Sequence, residues 1–155
     1  MKAIISFFTL ATIMMACTNI DDIPTVSITQ GGYIGLLSVD QTDGTFYVQD
    51  SVEVRFAHPA DSFATITMLR VKFAPRMPMM LDMLIDSVTA VAVPLTHSVA
   101  LLGNNIVPDA MGGAFPQYII TELLGTVTTD SIKFEMKCGD YPLTYTGKAK
   151  LGNSE

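Results

Sequence analysis

From Gly31 onward the sequence alternates between apolar and polar residues with a period of two, and that rhythm constrains the fold more than any other feature. Ile132, Phe134, Met136 and Cys138 alternate with Lys133, Glu135 and Lys137. Val52, Val54 and Phe56 alternate with Glu53 and Arg55, and Leu69, Val71 and Phe73 with Arg70 and Lys72. Leu81, Met83 and Ile85 do the same around Asp82, with Asp86 beyond. Successive side chains of a strand point to opposite faces, so this pattern describes strands buried on one side and wet on the other. No stretch offers an amphipathic helix of three turns. Asp43-Gly44, His58-Pro59, Thr128-Thr129-Asp130-Ser131 and Gly139-Asp140 punctuate the runs with turn chemistry. The reading is eight strands, over 32–40, 45–56 with a bend near Asp50, 64–73, 80–89, 95–102, 118–127, 131–138 and 142–150. Met68-Leu69 breaks the alternation and predicts a β-bulge. Short links favour up-and-down order, and closing the sheet removes its edges. The expected fold is therefore all-β, a single eight-stranded antiparallel barrel rather than a sandwich. The one long connection, Gly103 to Gln117, reads as a mouth loop, a lid or a plain crossover.

The first residues follow a different logic. Lys2 precedes an apolar run, Ala3 to Ala16, interrupted only by Ser6, Thr9 and Thr12. As a helix this run spans about 21 Å, short of roughly 30 Å of bilayer hydrocarbon. A basic start, a short apolar core and a small residue before a cut describe a secretory signal over 1–16. Met14-Met15-Ala16-Cys17 resembles the bacterial lipobox, with Met14 where an aliphatic residue is usual. That resemblance implies that Cys17 is lipidated and becomes the new N-terminus; an ordinary secretory signal ending beside a cysteine is the alternative. Residues 17–30 then form a lipidated, polar tether, and 31–155 the barrel domain. The membrane, reached through the lipid anchor, is the expected partner. By analogy with lipoprotein sorting, Thr18 points to the outer membrane, and Asp21 and Asp22 leave its face open. The expected localisation is the cell envelope.

Some segments are more specific than their pattern. These are Val71-Lys72-Phe73-Ala74-Pro75-Arg76-Met77-Pro78, Ile120 to Val127, and Asp130 to Gly147 with its Gly139-Asp140-Tyr141-Pro142-Leu143-Thr144-Tyr145-Thr146-Gly147 end. In this order they resemble the small calycin-like, lipocalin-like β-barrel domains of lipoproteins from anaerobic gut bacteria. The resemblance covers most of residues 31–150 and is strongest over 115–150. It implies a lipocalin-like barrel on a lipid anchor and carries over no functional residue.

Chemistry is sparse. The chain has 155 residues, 15% of them charged, and a net charge of −6, with its 9 bases scattered among 15 acids. Phosphate recognition needs a basic patch, so no nucleic-acid partner is expected. Two cysteines and two histidines supply no metal spacing, and there is no phosphate-binding loop. His58, Asp61 and Ser62 fit a polar turn as well as a triad, whose members usually come from distant segments. Asp82 and Asp86 on one strand would stand about 13 Å apart, too far for a glycosidase pair. No catalytic residue, cofactor or resident metal is assigned, and the protein is read as a non-enzyme.

What remains is a binding or interaction module. Alternation proposes Phe56, Phe73, Met79, Met83, Phe134 and Met136 as the lining of a site for a small apolar ligand at one open end. A filled barrel acting as a structural or interaction lipoprotein of an envelope complex is the alternative. The cluster Met77, Met79, Met80 and Met83 raises a third reading, Cu(I) held by thioethers with His58 or His97 nearby, though methionine also fills irregular cores. Cys138 reads as core, and Tyr33, Tyr47, Tyr118, Tyr141 and Tyr145 as mainly structural aromatics.

Overall fold

A computed structural model describes residues 28–59 and 63–151. The signal segment 1–16, Cys17 and nearly all of the tether lie outside the described residues, as do Asp61 and Ser62. The strands are β1 (Gln30–Asp40), β2 (Phe46–Ala57), β3 (Ala64–Val71), β4 (Leu81–Val93), β5 (Ser98–Gly103), β6 (Asp109–Ala110), β7 (Gly113–Ala114), β8 (Ile120–Val127), β9 (Ser131–Cys138) and β10 (Tyr141–Ala149). Eight of them form a closed antiparallel barrel in the order β1-β2-β3-β4-β5-β8-β9-β10, with β10 back on β1. Each barrel strand neighbours the next in sequence, so the order is up-and-down. β6 and β7 are a small hairpin that pairs edge to edge with the first part of β4, Met83 opposite Ala110 and Leu84 opposite Asp109, while β5 pairs with Thr89–Val93 further along.

Expected and observed strands agree closely, with informative differences at the ends. Pro94–Thr96 and Pro116–Tyr118 form 3-10 turns, so β5 starts at Ser98 and β8 at Ile120, later than expected. Proline has no amide to give a ladder, and its fixed φ suits the first position of such a turn. The long connection contains structure of its own, the β6–β7 hairpin.

Two ends can be distinguished. The described chain enters at Ile28 at the near end, which also carries the β2–β3, β4–β5 and β8–β9 links. The far end carries the β1–β2, β3–β4, β5–β8 and β9–β10 links. The Tyr33 hydroxyl donates to the Thr128 carbonyl at 2.9 Å across the near end. The Gln41 amide donates to the Phe73 carbonyl at 2.8 Å across the far end. β2 pairs with β3 only over Glu53–Ala57. Beyond that point Gln49 replaces the missing backbone ladder: its Nε2 donates to the Arg70 carbonyl at 2.7 Å, and its Oε1 accepts the Lys72 amide at 3.1 Å.

The interior is a layered core. Inward side chains from all eight barrel strands are buried, among them Leu37, Val54, Ile66, Met68, Ile85, Leu101, Ile120 and Ile132. Each large apolar side chain fully buried contributes about 1.5–3 kcal/mol. Phe134 stacks on Tyr145 with ring centroids 5.2 Å apart. The Tyr145 hydroxyl, itself buried, donates to the Val52 carbonyl at 2.8 Å, so its polar tip is satisfied. Glycines make room for these rings. A Cβ at Gly125 would come 2.7 Å from the Cβ of its cross-strand neighbour Phe134, and one at Gly147 would meet the Tyr145 ring.

Register shifts occur between Gly35 and Leu37 on the β1–β2 ladder, twice on β3–β4, and between Thr121 and Leu124 on β8–β9. The bulge expected at Met68-Leu69 falls one residue later, at Leu69-Arg70, and the bend expected near Asp50 is another of these shifts. Each shift carries one non-glycine residue in the left-handed region: Ser51, Arg70, Ser87 and Glu122, with φ between 53° and 61°. Each of their amides is taken by a nearby side chain. Asp50 accepts from Ser51, Asp82 from Arg70, Asp86 from Ser87 and Asn104 from Glu122, at 2.6, 2.8, 2.7 and 3.3 Å. A bulge leaves a strand amide without a ladder partner, and a short acidic or amide side chain is the nearest replacement.

Candidate functional site

The inward face and the outer wall offer different chemistry. Of the proposed lining, Phe56, Phe73, Met83, Phe134 and Met136 face the interior, each no more than 4% exposed. They pack against one another and against the rest of the core, and Phe134 and Met136 also border grooves. Met79 stands elsewhere. It lies in the loop before Leu81, 51% exposed, on an outer groove. Strand parity assigned it to the interior, but Met79 precedes the strand, and parity has no meaning there.

The other candidates also find places. Asp82 and Asp86 cap bulges, as above, which is structural work for both carboxylates. His58 packs its ring at 6.4 Å from Phe56, and His97 occupies a left-handed turn position with φ 49°. Among the described residues no three His, Cys, Asp or Glu side chains gather as a metal would require. Cys138 is fully buried. Burial pushes its thiol up to about 12, so it stays protonated and unreactive at neutral pH. Burial, and secondarily the negative charge of Glu53, raises the phenol of Tyr145 well above its ordinary range. At the far end Tyr118 lies between Phe73 and Phe115, 5.2 Å from each.

The prominent concavities open on the outer wall and at the near end. Three of them, of about 500, 400 and 460 Å³, meet at Leu124. Leu124 faces outward on β8, directly across from outward Leu102 on β5. The largest of the three runs towards the far end, past Phe46 and Pro142. Its charged rim is Asp40, Glu122 and Glu135 against Lys137 alone. A fourth groove, of about 750 Å³, lies between the start of β4 and the β6–β7 hairpin, and contains Met79, Met80 and Met111. Sequence reasoning assigned no role to Leu124, Phe46, Leu102 or Met111. The signal was present for Leu124: it sits at a position the alternation reserves for polar residues.

No family model, curated protein or solved structure matches this chain. The closed eight-stranded antiparallel barrel is consistent with a calycin-like fold. Among the described residues no helix is long and apolar enough to cross a membrane.

Proposed function

We propose that the protein is a lipid-anchored envelope lipoprotein whose barrel is a non-catalytic docking module, working through its outer wall. One observation carries this reading. The inward face is closed-packed, while grooves converge outside on Leu124 beneath an acidic rim. Exposed large apolar residues gathered in a groove favour a partner, and here the occupant is a protein segment presenting an apolar side chain flanked by basic ones. Around the three grooves together Asp40, Glu122 and Glu135 outnumber Lys133 and Lys137, which supplies a modest charge preference. The described chain begins at the near end, at Ile28, opposite the end towards which the largest of the three grooves runs. A small apolar ligand in the interior is the weaker reading, because the residues that would line it already fill it.

A photo-crosslinking residue at Leu124 of the full-length protein, activated in its own cell envelope, tests the docking reading. The expected result is one discrete protein adduct, lost when Glu122 and Glu135 are both changed to Lys, and absent with the same probe at Val91. No adduct, or a stoichiometric small molecule released from the purified protein in native mass spectrometry, would overturn it. The anchor has its own test: Cys17→Ser should abolish acylation and membrane attachment, and a variant that remains attached removes the anchor from the reading.

A further inference from the structure

Seven methionines lie between Ile28 and Leu151, and they divide by role. Met68, Met83 and Met136 are buried in the core. Met77 is half-buried, and its sulfur accepts the Phe73 amide at 3.0 Å. The other three, Met79, Met80 and Met111, are 51%, 45% and 66% exposed, and all three line the same groove. Methionine ordinarily goes inside, so three exposed ones in one place need a reason. The methionine run in the sequence is thus not the cluster in the fold. Met77 and Met83 leave it, and Met111 joins it from the β6–β7 hairpin.

That hairpin carries a second sign. Met111 and Gly112 both have positive φ, 54° and 87°, at the two central positions of the turn between Ala110 and Gly113. Such turns favour Asn, Asp or Gly, because a side chain in the left-handed region is strained. A methionine held there against local preference points to a use for its side chain. Met79 and Met80 lie between Pro78 and the start of β4, outside strand pleating, so neighbouring residues can turn into one groove. Asp82 and Asp109 also line it and give it negative charge. A purely apolar partner would gain nothing from those carboxylates, and leucine would serve it as well as methionine.

We propose that this groove binds a soft monovalent cation, Cu(I) or Ag(I), through the thioether sulfurs of Met79, Met80 and Met111. Thioethers are neutral, soft donors, and three rotatable bonds let the sulfurs converge on one ion. Asp82 and Asp109 balance the charge from outside the sulfur set. Asp82 is already fixed by the Arg70 amide at 2.8 Å. The site is independent of the docking groove at Leu124 and stands or falls separately.

The test is an anaerobic Cu(I) competition against a chromophoric chelator, using the full-length protein in non-ionic detergent with Cys17→Ser, so that no accessible thiol competes. One equivalent should bind. Met79→Leu, Met80→Leu and Met111→Leu should each weaken binding by about tenfold or more, the scale of one lost ligand. Met83→Leu, in the core, should leave the affinity unchanged. Met111→Asn suits the turn better, so it should melt higher than the parent and still bind weakly. Undiminished affinity in Met111→Asn or in the triple leucine variant, or no binding by the parent, would overturn the proposal.

Discussion

Two walls of the barrel close in opposite ways. On β9, β10 and β1 the ladders run without a register shift, and space is made by removing side chains. Gly35 stands directly across from Gly147, and Tyr145 and Phe134 fill the volume beside them. On β2, β3 and β4 no such glycine pair exists. There the strands carry an extra residue at Asp50-Ser51, Leu69-Arg70 and Asp86-Ser87, each bent through a left-handed residue whose amide an aspartate accepts. Curvature can therefore come from deletion of bulk or from insertion of backbone. The first device tolerates almost no change in volume. The second is built of exposed polar parts and should tolerate a great deal.

The sharpest way to break this contrast is Gly35→Ala. The added Cβ would fall 1.9 Å from the Thr146 carbonyl oxygen, which is backbone and held in the ladder. We expect a loss of about 4–5 kcal/mol or more, at the extreme of single substitutions, measured by urea unfolding. Gly32→Ala is the control: nothing lies within 4 Å of its Cβ, and stability should change by about 0.5 kcal/mol at most. A mild Gly35→Ala would mean that the close β1–β10 approach does not constrain this wall.

The same contrast explains what the sequence made legible. Alternation is a property of regular strands, so the regular wall was read almost residue for residue: 131–138 is β9, and 142–150 lies one residue from β10. At bulges the phase slips, and period two loses its meaning. Ile85 and Val88 both face inward because Asp86 and Ser87 share the place of one residue. The Leu69-Arg70 bulge left a mark one residue early, because the apolar pair Met68-Leu69 breaks the alternation. The one at Glu122 had no such mark. The β6–β7 hairpin was hidden because two-residue strands carry no periodicity, and with it went the meeting of Met111 with Met79 and Met80. The outer grooves depend on which outward residues the closure brings together, which one strand's pattern does not encode.

The regular wall also makes a pH prediction. Cys138 on β9 has its thiol pushed from 9.0 to about 12 by burial. The protonated form is favoured by folding, so its contribution to stability is fully present below pH 9 and is lost as pH rises through about 12. The loss approaches about 1.4 kcal/mol per pH unit within that window. Tyr145 on β10, raised from 10.0 by the same burial, adds a further loss beginning near pH 10. Urea midpoints taken from pH 8 to 11 should fall from pH 9 in the parent, whereas Cys138→Ala, less stable at pH 8, should stay level until about pH 10. A parent and variant with parallel pH profiles would show that the thiol ionises without opening the wall.

The smallest effects belong to the bulged wall, and there the two halves of the device can be separated at adjacent positions. Asp86 accepts the Ser87 amide at 2.7 Å, and both side chains are exposed. Asp86→Ala removes the acceptor but leaves water to replace it, so the expected loss is about 1 kcal/mol. Ser87→Gly keeps the acceptor and relieves the strain of φ 61°. Left-handed strain for a residue with a Cβ is about 1–2 kcal/mol, and glycine's extra unfolded-state freedom returns about 0.5–1 of it. The net expectation is a gain of about 0.5 kcal/mol, seen as a higher urea midpoint with unchanged slope. In the double variant the two effects should not add, because they act on one amide, and the shortfall measures their coupling. Additive effects would mean that Asp86 and the left-handed turn at Ser87 stabilise the wall independently, and that the aspartate is not what holds the bulge.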